Sequence, residues 1–267
     1  MARIVGLVSG LATPAGVYDF WLGGHNHLEA DRVAAVKLTE AAPELPLQAV
    51  ENRRFLRRAV RFLAAQAGIE QFLDIGAGLP TQGSVHEIAQ AVSRGARVVY
   101  VDYDEMVVAR ARALTADPNV AAIRADVREP LAILAHPVTR DLIDFTRPLA
   151  VLMIAVLHFI SDADDPARVV AVLRDAVAAG SYLAISHVTS DVHGDSAERA
   201  SAVYTKFMPD ATLRSRSGIA RLFDGFELLD PGLVQVPFWR PDDPPPADAD
   251  KLWILGAVGR KPGLTSG

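Results

Sequence analysis

Gln71-Phe72-Leu73-Asp74-Ile75-Gly76-Ala77-Gly78 is the most informative octapeptide of the chain. A short apolar run ends on an aspartate and a glycine-spaced turn, which predicts a buried strand entering a tight connection to a helix. Glycine at such a turn permits positive φ and lets the backbone pass close to a ligand. Beyond it, short apolar runs alternate with helical periodicity. Strands are predicted at 97–101, 120–124, 149–155 and 182–186, with helices at 84–93, 107–114 and 166–178. The run Ala150-Val151-Leu152-Met153-Ile154 suits a parallel strand buried on both faces. This βαβα order predicts an α/β chain with a mostly parallel sheet wrapped by helices.

The flanks differ. Residues 29–40 and 50–67 read as helices, with Pro43 and Pro46 breaking the pattern between them and Gly68 closing the second. Residues 226–236 and 252–258 read as two strands joined by the Pro/Asp loop at 241–246, with no helix between, so they are expected to pair antiparallel at one edge. We therefore divide the chain into a helical N-terminal cap, 1–67, and a core, 68–267, in which 191–223 forms a lid insertion with helices at 197–208 and 217–222.

Composition bounds the function. The 267 residues are half hydrophobic and carry a net charge of −5, which argues against a nucleic-acid partner. With no cysteine, a disulfide framework, a thiolate metal site and a cysteine nucleophile are excluded. That composition suits a reducing cytoplasm, and neither a membrane span nor a secretory signal is recognisable at the N-terminus. No His/Asp/Glu cluster has metal-site spacing, so metal-independent chemistry is expected.

The octapeptide is not a dinucleotide fingerprint, because Thr81 stands where a third glycine would be. It is not a phosphate-binding loop, because no Gly-Lys-Ser/Thr follows. An acidic residue opening the turn repels a pyrophosphate but suits a ligand bearing an ammonium group, such as S-adenosylmethionine. Asp102 closes the second strand, where a carboxylate can accept from ribose hydroxyls. Ala125-Asp126-Val127 closes the third, where a carboxylate can accept from an adenine amine. Asp104 reads instead as a helix cap. A nicotinamide-dependent oxidoreductase is disfavoured by Asp74 and the missing third glycine.

Three carboxylates at successive strand ends make the chain resemble the class I S-adenosylmethionine-dependent methyltransferases. That resemblance implies a Rossmann-like, seven-stranded, mostly parallel sheet with an antiparallel last strand. Pro14-Ala15-Gly16-Val17-Tyr18-Asp19-Phe20-Trp21-Leu22-Gly23-Gly24 and Glu29-Ala30-Asp31 are similar to the actinobacterial S-adenosyl methyltransferase family formerly called DUF574. So are Asn52-Arg53-Arg54-Phe55-Leu56-Arg57-Arg58-Ala59-Val60 and Ala155-Val156-Leu157-His158-Phe159-Ile160. The similarity runs over about 12–260 and implies the cofactor more strongly than the acceptor.

The expected cofactor-binding residues are Tyr18, Arg53, Asp74, Gly76, Gly78, Asp102, Tyr103, Asp126, Val127 and Ala155. Arg53 would pair with the cofactor carboxylate; the competing reading is a solvated basic helix face. Tyr18 and His158 are the catalytic candidates. Tyr18 either lies near the methyl or packs the cap, and His158 is either a base or a buried, backbone-bonded histidine. Trp21, Asn26, His158, His187, Tyr204 and Phe207 are candidates for acceptor binding, with Met208, Phe238 and Trp239 near the lid. Core packing and dimer contact compete for the lid aromatics, which leaves a homodimer open. The expected acceptor is a small aromatic or heteroaromatic natural product methylated at N, O or C; a non-catalytic cofactor-binding regulator is the alternative.

Overall fold

The computed structural model describes residues 12–80, 83–113, 116–191 and 211–263. Helices α1 (Pro14–Trp21), α2 (Glu29–Ala41) and α3 (Leu45–Ala65) precede the sheet. Then β1 (Gln71–Ile75), α4 (Val85–Val92), β2 (Arg97–Asp102), α5 (Glu105–Ala113) and β3 (Val120–Arg124) alternate. The short helices α6 (Pro130–Ala135) and α7 (Pro137–Leu142) lead to β4 (Ala150–Ile154), α8 (Pro166–Ala176) and β5 (Tyr182–Val188). The last described elements are α9 (Arg216–Arg221), β6 (Glu227–Leu228), β7 (Val234–Gln235) and β8 (Ile254–Arg260).

The sheet runs β3-β2-β1-β4-β5-β8-β6, with β7 also on β8. Strands β1 to β5 are parallel, and β8 is antiparallel to β5, β6 and β7. The order reverses between β1 and β4, the position where open α/β sheets form a ligand crevice at their carboxyl ends.

Strand alternation sends successive side chains to two different layers. Phe72, Val98, Ala150, Leu152 and Ala184 pack with Phe55, Leu56, Val60 and Leu63 of α3 and Val85 and Ala89 of α4. Leu73, Ile75, Val99, Val151, Met153 and Ile185 pack on the other face with α6, α8 and Ile219 of α9. A third cluster joins Val17 of α1 and Ala35 and Leu38 of α2 to Val188 and Trp253, seating the N-terminal helices over the strand ends.

Two expectations need correction. Helix α3 begins at Leu45, not near 50, because a proline in the first turn gives up only an N–H that has no intrahelical partner. The strand expected over 226–236 is split into β6 and β7 around Pro231 and Gly232, so the described residues form eight strands where seven were expected. As expected, the C-terminal strands pair antiparallel at one edge of the sheet, with β8 joining β6 and β7 to β5. Helices α6 and α7 escaped the sequence reading because each has only six residues, too few to show a period. The helix expected at 197–208 lies outside the described residues.

Candidate active site

The carboxyl end of β1 is held open by glycine. Gly76 has φ +76°, and a Cβ there would come within 2.4 Å of the Val156 side chain, so the turn is pressed against the loop after β4. Gly76 and Ala77 donate their N–H groups to Val101 O at 2.8 and 3.2 Å. Gly78 has φ +65°, and among the described residues beyond its chain neighbours no atom lies within 4 Å of a Cβ placed there. The turn is thus fixed at its start and open at its end, where a ligand can approach the backbone.

Asp74 and Asp102 continue the alternation of Phe72 and of Val98 and Tyr100, so both lie toward α3 and α4. They are 6% and 8% exposed. Burial pushes the Asp74 carboxyl up to about 7, with Arg53 opposing and Asp102 adding to the rise. Burial also raises Asp102, against the N–H groups of Asp104 and Gly78, which donate to its oxygens at 3.0 and 2.9 Å. The Tyr103 N–H also bears on this carboxylate, whose two oxygens still keep lone-pair capacity for a hydroxyl donor. Two buried carboxylates of raised pKa form a local acidic site that a cation would relieve.

Helix α3 supplies the facing wall. Asn52 is 1% exposed; its Nδ2 donates to the Tyr18 hydroxyl at 2.9 Å, while its buried Oδ1 has no hydrogen-bond partner among the described residues. The Tyr18 hydroxyl donates to Ala49 O at 3.0 Å, and burial raises its pKa. Arg53 Nη2 donates to Gly83 O at 3.3 Å, and its Nε is buried without a partner among the described residues. Its charge is felt at Asp74 and at Tyr18. The structure therefore gathers Tyr18, Asn52, Arg53 and Asp74 around one corner of the crevice, with Gly78 and Asp102 beside it.

Other expected residues are placed differently. Asp126 is gripped by Arg128, whose Nε donates at 3.0 Å; burial would raise this carboxyl, but the Arg128 hydrogen bonds win and lower it. The pair lines a cavity of about 400 Å³ with Glu129, Asp164, Asp165 and Arg168. Val127 packs at the edge of the core, and Tyr103 is exposed. Ala155 has φ +54°, a conformation costly for a residue with a Cβ, and its N–H donates to Ser186 Oγ at 3.0 Å. Trp21 Nε1 donates to Thr39 Oγ1 at 3.0 Å within the cap. Tyr204, Phe207 and Met208 lie outside the described residues. Phe238 is exposed, whereas Trp239 is fully buried against Phe55 and Phe62.

His158 and His187 meet at 5.6 Å between ring centroids, on the sheet face opposite to Asp74. His187 Nδ1 donates to Val188 O at 2.6 Å, which leaves Nε2 to accept from Arg214 Nη1 at 2.8 Å. Arg214 also donates to Leu157 O, Ile160 O and Asp162 Oδ1. Burial, with the neighbouring His187 ring and the Arg214 charge adding to it, holds His158 well below its ordinary range. Burial lowers His187 to about 4. Both rings are neutral at physiological pH.

Sequence reasoning missed Arg214, which lies in no motif, and gave no sign that Asp19 and Asp31 organise the cap. Asp31 accepts from Thr13 N and Leu28 N at 2.7 Å each, and a Cβ at Gly16 would fall within 2.1 Å of its carboxylate. Asp19 accepts from the backbone of Asn26 and His27. The glycines and acids of the N-terminal motif are thus matched pairs. That pairing was signalled by their co-occurrence, but the sequence alone does not reveal the partners.

An S-adenosyl methyltransferase family model matches residues 6–262. A putative methyltransferase from Thermobifida fusca YX superposes with a TM-score of 0.90 at 43% identity, covering 97% of this chain and 98% of that one. A DUF574 family protein from Streptomyces avermitilis MA-4680 gives 0.89 at 38%, covering 94% and 98%. Human N-acetylserotonin methyltransferase, solved with S-adenosylmethionine, gives 0.51 at 13%, covering 96% and 64%, and shares the fold. The comparison with curated proteins finds no match. The buried carboxylates, the open glycine turn and the facing Asn52 and Arg53 suit an ammonium-bearing nucleoside cofactor, and the chain belongs to the S-adenosyl methyltransferase family, S-adenosylmethionine-dependent enzymes of Rossmann-like fold.

Proposed function

We propose that this methyltransferase binds S-adenosylmethionine between the β1 and β2 strand ends and α3, and methylates a small aromatic or heteroaromatic acceptor at N, O or C. The observation that carries the binding mode is the pair of buried carboxylates flanking the open Gly78 backbone. Asp74 and Asn52 Oδ1 would take the ammonium, Arg53 the carboxylate and Asp102 the ribose hydroxyls. Val127 and Tyr103 would border the adenine, with Asp126 reaching its amine only if the Arg128 pair rearranges. Bound there, the cofactor supplies an electrophilic methyl group on a sulfonium.

The chain's own task is alignment and exclusion of water. Tyr18, Asn52 and Arg53 form a pre-set wall on one side, and Ala155 and Val156 hold the turn from the other. His158 and His187 stand behind this arrangement, so we assign them to shaping the loop after β4 rather than to proton transfer. The partly buried Phe20 and Trp21 of α1 offer flat apolar surface that favours an aromatic acceptor. The segment up to 67 acts as the cap of one structural unit with the core, and we place the reaction in the cytoplasm, in natural-product metabolism. Turnover assayed as S-adenosylhomocysteine release across a panel of phenols, anilines and N-heterocycles tests the acceptor class. Turnover with one of these ring classes but not with aliphatic amines is expected; exclusive use of aliphatic acceptors would contradict it.

A further inference from the structure

Asn26 sits where the cap meets both rims of the crevice. Its Nδ2 donates to Pro80 O at 3.1 Å, on the loop after the glycine turn. Its Oδ1 accepts from Arg110 Nη1 at 2.7 Å, on the helix after Asp102. One side chain therefore ties the cap to the two segments whose Gly78 N–H and Asp102 carboxylate meet at 2.9 Å.

The loop that presents Asn26 is preformed. Buried Asp19 accepts from the N–H groups of Asn26 and His27 at 2.8 and 3.0 Å and from His27 Nδ1 at 3.0 Å. Gly24 N donates to Asp19 O at 2.8 Å, and a Cβ on Gly24 would lie 2.2 Å from the carboxylate. Asp74 and Asp102 are already 94% and 92% covered. The cap lies over the strand ends and is bonded to both rims, so it borders the way in to them.

We propose that Asn26 latches the cap, and that its two hydrogen bonds break each time S-adenosylmethionine enters or S-adenosylhomocysteine leaves. The proposal rests on the reading that the cofactor lies against Asp74 and Asp102. The latch bonds join protein to protein, so they hold the cap with or without cofactor. Their loss speeds entry and exit together and leaves the affinity nearly constant, whereas loss of a direct cofactor contact acts mainly on the dissociation rate and so on Kd.

Stopped-flow displacement of S-adenosylhomocysteine, with calorimetric Kd, tests this on wild type, Asn26→Ala, Asn26→Asp and Arg110→Ala. In Asn26→Ala, dissociation and association should both rise about tenfold, with Kd within about threefold. Asn26→Asp keeps the bond from Arg110 and loses the donor to Pro80, and Arg110→Ala does the reverse, so the rates of both should fall between those of wild type and Asn26→Ala. Thermal unfolding checks that each variant is folded, and if Asn26→Ala is not, the other two carry the test. Unchanged rates in variants that bind would overturn the latch alone. A Kd that rises in step with dissociation at constant association would also overturn it, making Asn26 a cofactor contact. Failure of wild type to bind would overturn both the latch and the underlying binding mode.

Discussion

The two faces of the sheet end in polar clusters of opposite character. Toward α3 lie Asp74, Asp102, Asn52 and Arg53, with raised carboxyl pKa values and with an amide oxygen and a guanidinium nitrogen that have no partner among the described residues. Toward α8 lie His158, His187 and Arg214, where one guanidinium satisfies a histidine, a carboxylate and two carbonyls. The first cluster carries unspent hydrogen-bonding capacity and charge stress, which a ligand can relieve. The second consumes its capacity internally, which is how a polar group is buried without cost to the fold. Both contain titratable residues at strand ends, so residue type alone does not tell a binding site from a structural knot.

Substitutions on each face should separate the two roles. The largest effect is expected for Asp74→Ala, which strands the cofactor's ammonium beside Arg53 and should weaken S-adenosylmethionine binding by more than about a hundredfold in calorimetry. Arg214→Ala should instead lower folding stability by about 3 kcal/mol in urea denaturation, because it breaks a buried charged network. Its cofactor Kd should stay within about threefold, and a large loss of affinity there would merge the two clusters. Asp102→Ala should cost about 2 kcal/mol of binding, the worth of charge-assisted bonds to ribose.

The pH dependence sharpens the contrast. The folded-state pKa of Asp74 is raised to about 7, so its contribution to stability is full below the ordinary carboxylate range and is lost as pH rises through about 7. Binding of an ammonium reverses the sign, because it favours the ionised form. Affinity should climb as Asp74 ionises near 7 and fall above about 8 as the cofactor's amine loses its proton. His187→Asn should leave this acid limb in place. The smallest effect is expected for Gly78→Ala, about 1 kcal/mol of stability from left-handed strain alone, since a Cβ there meets open space. Gly76→Ala should cost more, because Val156 blocks it.

Much of this was readable before any coordinates. The run at 71–75 and its turn, the strand at 120–124 and the carboxylates closing β1 and β2 lie where their apolar pattern placed them, because parallel strands buried on both faces leave a continuous signal. Pro46 misled because its effect depends on position in the helix. The strand over 226–236 misled because Pro231 and Gly232 interrupt an otherwise continuous pattern. Like Asp74, His158 and His187 stand at or just after strand ends in the sequence. Strand parity sends His187 to the other face, and the loop after β4 carries His158 there, which no local spacing reveals. Arg214 and the Asn26 bridge are contacts across 52 and 84 residues of sequence, beyond the reach of any motif.

The most direct test is calorimetric titration of S-adenosylmethionine into wild type, Asp74→Asn and His158→Asn at one pH near neutrality. The account predicts that Asp74→Asn loses measurable binding while His158→Asn, once shown to be folded, keeps Kd within about threefold of wild type. Wild-type affinity in Asp74→Asn, or an equal loss in folded His158→Asn, would contradict it.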